Sequence, residues 1–143
     1  MATTLTYSGT TLTIPDDMLW IDEFEWTPMA QSVSYSITGA VIIQSALKQK
    51  GRAITLQGGQ DFGWIDRSVL VSITAWSRIP SAALTLVLRG STYAVAFAHV
   101  AGATAPITAR QSKSGAVYGT PLVDYSSVAD TDPYIATIRF IEV

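Results

Sequence analysis

The chain contains no cysteine and only one histidine among its 143 residues. The lack of cysteine excludes disulfide bridges, thiolate zinc sites and cysteine nucleophiles. Charged residues make up only 14% of the chain, well below the share of about 25% in a typical soluble domain. Since charged side chains are depleted at the centres of protein–protein interfaces, this composition favours a subunit of an assembly. A Ser- and Thr-rich monomer is the alternative.

The sequence also has little basic character and no long apolar run. Its net charge of −2 argues against a duplex-binding protein, which usually has a basic face. The N-terminus has neither the basic region nor the apolar region of a signal peptide. The longest nearly apolar stretches, residues 82–88 and 93–98, fall short of the roughly 20 residues that span a bilayer. We therefore expect a single domain over residues 1–143 with no membrane insertion, made in a reducing cytoplasm.

Most of the remaining sequence predicts short β-strands. Turn residues inside β-prone sequence predict hairpins over residues 5–14 and 83–97. Residues 32–38 alternate Ser or Thr with Val, Tyr and Ile, which predicts a half-buried strand. Residues 19–26 mix aromatic and acidic side chains and predict an edge strand. Further strands are predicted over residues 52–56 and 134–143.

One segment has a helical pattern. Apolar residues recur at steps of three to five over residues 64–78, with Asp61 as a possible cap and Pro80 after the end. One helix among many short strands predicts an α+β, mainly β fold: an antiparallel β-sandwich or barrel-like sheet with one packed helix. Residues 101–133 are rich in Gly, Ala, Ser, Thr and Pro and predict a long loop, with a short β-arm at residues 116–118 and 122–123.

No group of residues has the spacing of a catalytic, metal or cofactor site, so we expect no cofactor. The acidic group at residues 16–25 lacks a partner histidine or a fixed helical spacing. His99 stands alone beside an apolar strand. Opposite charge alone suggests that Lys48, Lys50 and Arg52 pair with the acidic segment across a subunit boundary. Tryptophans are expected mainly in the core or at interfaces, and a sugar-binding platform is the alternative.

The order of several segments resembles structural proteins of long-tailed bacteriophage (siphophage) tails, in the distal-tail and tail-tip class. The similar segments are, in chain order, Ile14-Pro15-Asp16-Asp17, residues 20–26, Thr38-Gly39-Ala40 with Ile43-Gln44, Gly51-Arg52-Ala53-Ile54-Thr55-Leu56, Trp64-Ile65 and a Leu-rich hairpin. The resemblance covers residues 14–97 and not residues 101–133.

This resemblance implies a non-enzymatic virion protein that joins the tail tube to the tail tip or baseplate hub. Copies would form a hexameric or trimeric ring around the channel, contacting tube, hub and fibre proteins, with DNA as passing cargo. Assembly would take place in the host cytoplasm. The expected subunit interface comprises Asp22, Glu23, Glu25, Trp26, Lys48, Lys50 and Arg52, and the expected docking arm comprises Tyr118, Leu122, Val123 and Tyr125. The alternative is a receptor- or carbohydrate-binding module that uses exposed tryptophans.

Overall fold

The computed structural model of the chain describes residues 2–99, 105–111 and 130–143. These residues form one α-helix and a set of short strands, and all strand pairings are antiparallel. The predicted α+β, mainly β class is therefore confirmed. In chain order the elements are β1 (Thr3–Tyr7), β2 (Thr10–Ile14), β3 (Leu19–Trp20), β4 (Met29–Tyr35), β5 (Val41–Leu47), β6 (Ala53–Gln57), β7 (Trp64–Asp66), α1 (Arg67–Ser77), β8 (Leu84–Leu88), β9 (Ser91–Phe97), β10 (Ile107–Gln111) and β11 (Pro133–Glu142).

Nine strands form one sheet around the long strand β11. The main path runs β2-β1-β8-β9-β11-β6-β3, and β10 and β7 also pair with β11. The N-terminal half of β11 lies between β10 and β7, and its C-terminal half lies between β9 and β6. Strands β4 and β5 form a separate two-stranded sheet. The main sheet thus ends at β2 on one side and at β3 on the other.

The two predicted hairpins are present, and their turns explain why the sequence predicts them. Ser8 and Gly9 connect β1 to β2 with φ of 49° and 82°. Arg89 and Gly90 connect β8 to β9 with φ of 51° and 81°. Two central residues with positive φ match the twist of antiparallel strands, and glycine adopts this conformation without steric cost.

The helix is shorter than its sequence pattern predicts. Trp64 and Ile65 fit the helical stripe, but they belong to β7, which pairs with β11. The N-cap is Asp66, in extended conformation, and not Asp61. The helix ends at Ser77, shortly before Pro80, and Leu70 and Ile73 are its buried residues. Competition from a strand partner distant in sequence therefore sets where the helix begins.

The core lies between α1 and the inward face of the main sheet. Alternate residues of β8, β9 and β11 are buried, as a one-sided sheet requires. The rings of Phe97 and Phe140 pack with centroids 5.2 Å apart. Burial of each large aliphatic side chain contributes about 1.5–3 kcal/mol. The largest fully buried side chains are Phe140, Leu5, Ile14, Ile54, Leu56, Ile65, Ile73, Leu84, Leu86, Ile138 and Val95.

Two other segments differ in extent from their predictions. Within residues 19–26 only Leu19 and Trp20 form a strand, β3, and it lies at the sheet edge as expected. A turn follows, in which the Glu25 amide donates to the Asp22 carbonyl at 3.3 Å. Within residues 101–133, β10 forms five residues of regular strand. The predicted β-arm at residues 116–118 and 122–123 lies outside the described residues.

Candidate interaction surface

Strands β4 and β5 form a hairpin over residues 29–47, called here the exposed hairpin. Every residue of both strands is exposed. The prediction of a half-buried strand at residues 32–38 is therefore wrong about burial. The alternation of polar and apolar residues is real, but no part of the chain that the structure describes covers the apolar side.

The exposed hairpin has one apolar face. The register places Val33 opposite Ile43 and Tyr35 opposite Val41. Side chains alternate across a strand, so these residues share a face, which carries Met29, Val33, Tyr35, Val41, Ile43 and Leu47 together with Gln31 and Ser45. The opposite face carries Ala30, Ser32, Ser34, Ile42, Gln44 and Ala46. Such a division is typical of a sheet that is buried on one side.

Residues 29–47 include no charged side chain. Tyr35 is 73% exposed, and Ile37 at the tip is fully exposed. Contiguous exposed apolar surface marks interaction sites, and an isolated two-stranded hairpin is at best marginally stable in water. The exposed hairpin therefore presents to solvent an apolar face that no described residue covers.

The base of the exposed hairpin is tied to the main sheet. The Lys48 amide donates to the Pro28 carbonyl at 2.6 Å and closes the hairpin. The Gly51 amide then donates to the Glu142 carbonyl at 2.9 Å, and the Glu142 amide donates to the Arg52 carbonyl at 2.8 Å. These bonds join the segment after the hairpin to β11, the central strand of the main sheet. They fix the place where the hairpin leaves the sheet.

An arginine–aromatic cluster lies close to this base. The Arg52 guanidinium carbon is 4.6 Å from the centroid of the Trp20 ring. The Tyr93 ring packs edge-on against Trp20 with centroids 5.9 Å apart, and the Arg52 guanidinium carbon is also 6.0 Å from the Tyr93 centroid. The Arg52 Nη2 also donates to the Glu23 carbonyl at 2.8 Å, while the Glu23 carboxylate pairs with Arg89 at 2.7 Å. The cluster fixes the turn after β3 against the sheet.

The predicted interface residues lie around this base, and several have partners within the chain. Asp22 is buried and bonded to Thr55. Glu23 and Arg52 belong to the arginine–aromatic cluster. The Lys48 ammonium lies 5.6 Å from the Trp26 ring centroid. The remaining two, Glu25 and Lys50, are exposed. Whether these residues contact a neighbouring subunit stays a prediction.

The predicted docking arm, Tyr118, Leu122, Val123 and Tyr125, lies outside the described residues. The sequence analysis missed the exposed hairpin as an interaction surface. The signal that could have found it is the complete absence of charge from residues 29–47, since strands facing water normally carry charged or strongly polar groups on their outer face.

The tryptophans do not form an exposed platform among the described residues. Trp20 is buried, and Trp26 and Trp76 are half-buried. Trp76 packs beside Tyr7, with ring centroids 5.6 Å apart. Trp64 is 37% exposed, and its indole nitrogen donates to the Gln60 carbonyl at 3.0 Å. No observation therefore favours the carbohydrate-binding alternative.

Chemistry at ionisable groups has little support in the described part of the chain. It contains no group of three or more His, Asp or Glu side chains placed to hold a metal ion. His99 is exposed, and its Nε2 lies 2.9 Å from the Ser77 carbonyl oxygen. More than half of the exposed large hydrophobic side chains of the described residues lie in the exposed hairpin.

No protein-family model, curated protein or solved structure matches this chain. Among the described residues, no helix is both long enough and apolar enough to span a membrane. Any functional proposal therefore depends on the residues themselves.

Proposed function

We propose that the chain is a non-enzymatic structural subunit that assembles with copies of itself. More specifically, we propose that copies of the chain make a ring around the channel of a long-tailed bacteriophage tail. This ring would join the tail tube to the tip or baseplate hub. The observation that carries the assembly role is the exposed hairpin, whose apolar face is not covered by any residue that the structure describes.

The exposed apolar side chains of the hairpin would supply the favourable free energy of assembly. Removal of apolar surface from water stabilises an interface by about 25 cal/mol per Å² before the costs of association. A standard interface takes about 20–30 residues from each partner. The exposed hairpin, with two strands of seven residues and the tip between them, supplies a large share of such a set. Its uncharged surface matches the composition of an interface core.

A virion setting is supported by the sequence resemblance and is compatible with the fold. The similar segments fall on the end of β2, on β3 and its turn, on the tip and second strand of the exposed hairpin, and on β6, β7 and the hairpin of β8 and β9. Several of these elements hold the arginine–aromatic cluster and the base of the exposed hairpin. The resemblance is therefore spread over the main sheet and includes the base of the hairpin. In this proposal the protein is located in the virion tail and DNA is passing cargo.

A ring follows if one surface of a copy contacts a different surface of the next copy. Such head-to-tail contacts close into a ring when the rotation between neighbours divides a full turn. A hexamer or a trimer is the expected state. Tube, hub and fibre proteins are the proposed further partners.

The proposal is tested by light scattering across concentration, followed by class averages from electron microscopy. The matched control replaces residues 29–47 by Asn-Gly. Pro28 and Lys48 already share a 2.6 Å hydrogen bond, so a two-residue turn can join them. We expect closed rings with a central channel from the full chain and a folded monomer from the control. A full chain that stays monomeric at every concentration would overturn the ring.

A further inference from the structure

A groove runs along the edge strand β2, between this strand and the elements β7 and α1. The helix packs against both strands. The apolar residues that line the groove are Leu12, Ile14, Pro15, Trp64, Ile65 and Val69. The partial exposure of Trp64 means that the groove opens to solvent beside an aromatic side chain.

The outer edge of β2 is open in the described part of the chain. Its one strand partner there is β1, on the opposite side. Residues Thr10–Ile14 contain no charge and no proline. Natural sheets use lysine, proline or bulges to prevent pairing at exposed edges, and β2 has no charge or proline to do this. The backbone N–H and C=O groups of β2 that point away from β1 are therefore available to another strand.

We propose that the groove and the edge of β2 receive the exposed hairpin of a second copy of this chain. The hairpin would add to the main sheet as an extra pair of strands, with its apolar face directed into the groove. This inference rests on the proposed function, because it identifies the surface to which the same hairpin binds.

The exposed hairpin and the edge of β2 match in strand length and in the sides on which their polar and apolar side chains lie. Each strand of the exposed hairpin has seven residues and β2 has five, so the whole edge can be paired. On β2, Thr11 and Thr13 are exposed, while Leu12 faces the core. Strand addition with the apolar face inward would place Ser32 and Ser34 on the same outer side as Thr13. Ser32 and Ser34 would then stay in contact with water, while Gln31 and Ser45 would turn inward with the apolar side chains.

The charges at the ends of the two surfaces are also complementary. Lys48 and Lys50 are exposed directly after the exposed hairpin. Asp16 and Asp66 are exposed and lie among the residues that line the groove. Opposite charges at the rim steer association and fix its orientation, and they act more weakly at high salt. The hairpin itself carries no basic residue with which to bind phosphate groups of lipids or nucleic acid.

The occupant is a second copy and not the hairpin of the same chain. Within one chain every strand residue of the hairpin is exposed, so its own groove does not cover it. The hairpin follows β3, which ends the strand order opposite to β2. Each copy therefore offers a hairpin from one end of the order and a groove at the other, the arrangement that produces head-to-tail association.

Crosslinking between two singly substituted chains tests this contact, because the natural chain has no cysteine. Thr13→Cys supplies the groove side, and Ser34→Cys or Gln44→Cys supplies one strand each of the hairpin. The control is Thr85→Cys, an exposed threonine on β8, which has strands on both sides. The mixed proteins are treated with a short bismaleimide and separated on a denaturing gel.

We expect a crosslinked dimer when Thr13→Cys is mixed with either hairpin variant, and none when Thr85→Cys replaces it. Equal crosslinking of both threonine variants, or none with Thr13→Cys, would overturn the contact. The outcome is separate from that of the ring proposal. Rings without this crosslink would support the ring and refute the groove as the binding surface. The crosslink without closed rings would support the groove and refute the ring.

A second pair of variants tests the edge itself. Thr13→Lys places a charge on the open edge, and Thr85→Lys places the same charge on an interior strand. We expect Thr13→Lys to weaken self-association at least tenfold and Thr85→Lys to leave it unchanged, with both proteins folded by circular dichroism. Equal association of the two variants would contradict strand addition at β2.

Discussion

Asp22 binds both polar donors of Thr55. Its Oδ1 accepts from the Thr55 amide at 2.9 Å, and its Oδ2 accepts from the Thr55 hydroxyl at 3.0 Å. Strand β3 ends at Trp20, so this carboxylate takes the place of a backbone acceptor at the edge of β6. The side chain thereby allows the backbone to leave the sheet and form the turn that carries Glu23.

Removal of this carboxylate should destabilise the fold. Asp22 is 8% exposed, so Asp22→Ala leaves the Thr55 amide and hydroxyl without acceptors, at a cost of about 1–3 kcal/mol. Asp22→Asn keeps one acceptor oxygen and should cost less. The measurement is urea unfolding. The control is Asp17→Ala at an exposed position, expected to change stability by less than about 0.5 kcal/mol. Equal losses at both positions would contradict this role.

The stacking of Arg52 on Trp20 gives a second prediction. Arg52→Lys keeps the charge but removes the flat guanidinium 4.6 Å from the ring and its bond to the Glu23 carbonyl. We expect a loss of about 1–2 kcal/mol in the free energy of unfolding and a change in Trp20 fluorescence.

Arg89→Lys is the matched control for this prediction. The Arg89 side chain is 57% exposed and makes a surface ion pair with Glu23. Such pairs contribute only about 0–1 kcal/mol. The Arg89 guanidinium carbon lies 5.9 Å from the Trp20 ring centroid, farther than the 4.6 Å of Arg52. If Arg89→Lys costs as much as Arg52→Lys, the close stacking of Arg52 and its bond to Glu23 are not what stabilises the cluster.

An element can be predicted from local sequence where the residues that pair with it are close to it in the chain. Ser8-Gly9 and Arg89-Gly90 lie between strands that pair with each other, so each turn and its strands can be recognised together. The helix start could not be predicted in this way. Trp64 and Ile65 pair with Ile135 and Tyr134, and no local pattern contains those partners.

The exposed hairpin shows a different limit. Alternation over residues 32–38 correctly indicates a strand with one apolar face as far as Tyr35, whereas residues 36–38 belong to the tip and not to a strand. A period of two reports which side chains share a face, but it does not report which molecule covers that face. Burial was therefore assigned to the chain itself, although Val33 and Tyr35 are exposed in it. The lack of charge in the same segment is the feature that distinguishes a face covered by another molecule from a face buried within the chain.

The docking-arm prediction can be tested by a deletion, which must leave β10 intact. Removal of residues 103–131 would delete this strand, which pairs with β11. It would also remove the Asp130 carbonyl that accepts from Ser68 at 3.0 Å. Replacement of residues 113–128 by a Gly-Ser linker avoids both losses. We expect a folded protein that no longer assembles, as measured by circular dichroism and light scattering. Normal rings from this variant would refute the docking-arm prediction.

The last prediction separates the two faces of the exposed hairpin. Val33 and Ile43 are opposite each other on the apolar face, and Ser32 and Gln44 are opposite each other on the other face. The double substitution Val33→Ser with Ile43→Ser should weaken self-association, because each buried aliphatic side chain contributes about 1.5–3 kcal/mol. The sum corresponds to a Kd at least about 100-fold higher.

The control pair is Ser32→Thr with Gln44→Thr, which alters the opposite face and keeps good strand-forming residues. We expect it to change self-association little, as measured by sedimentation velocity across concentration. Neither pair should shift the unfolding of the main sheet by more than about 0.5 kcal/mol, because all four residues are exposed in the isolated chain. Equal weakening by both pairs would mean that the contact does not distinguish the two faces of the hairpin. Unchanged association after the Val33 and Ile43 substitutions would show that its apolar face is not the contact.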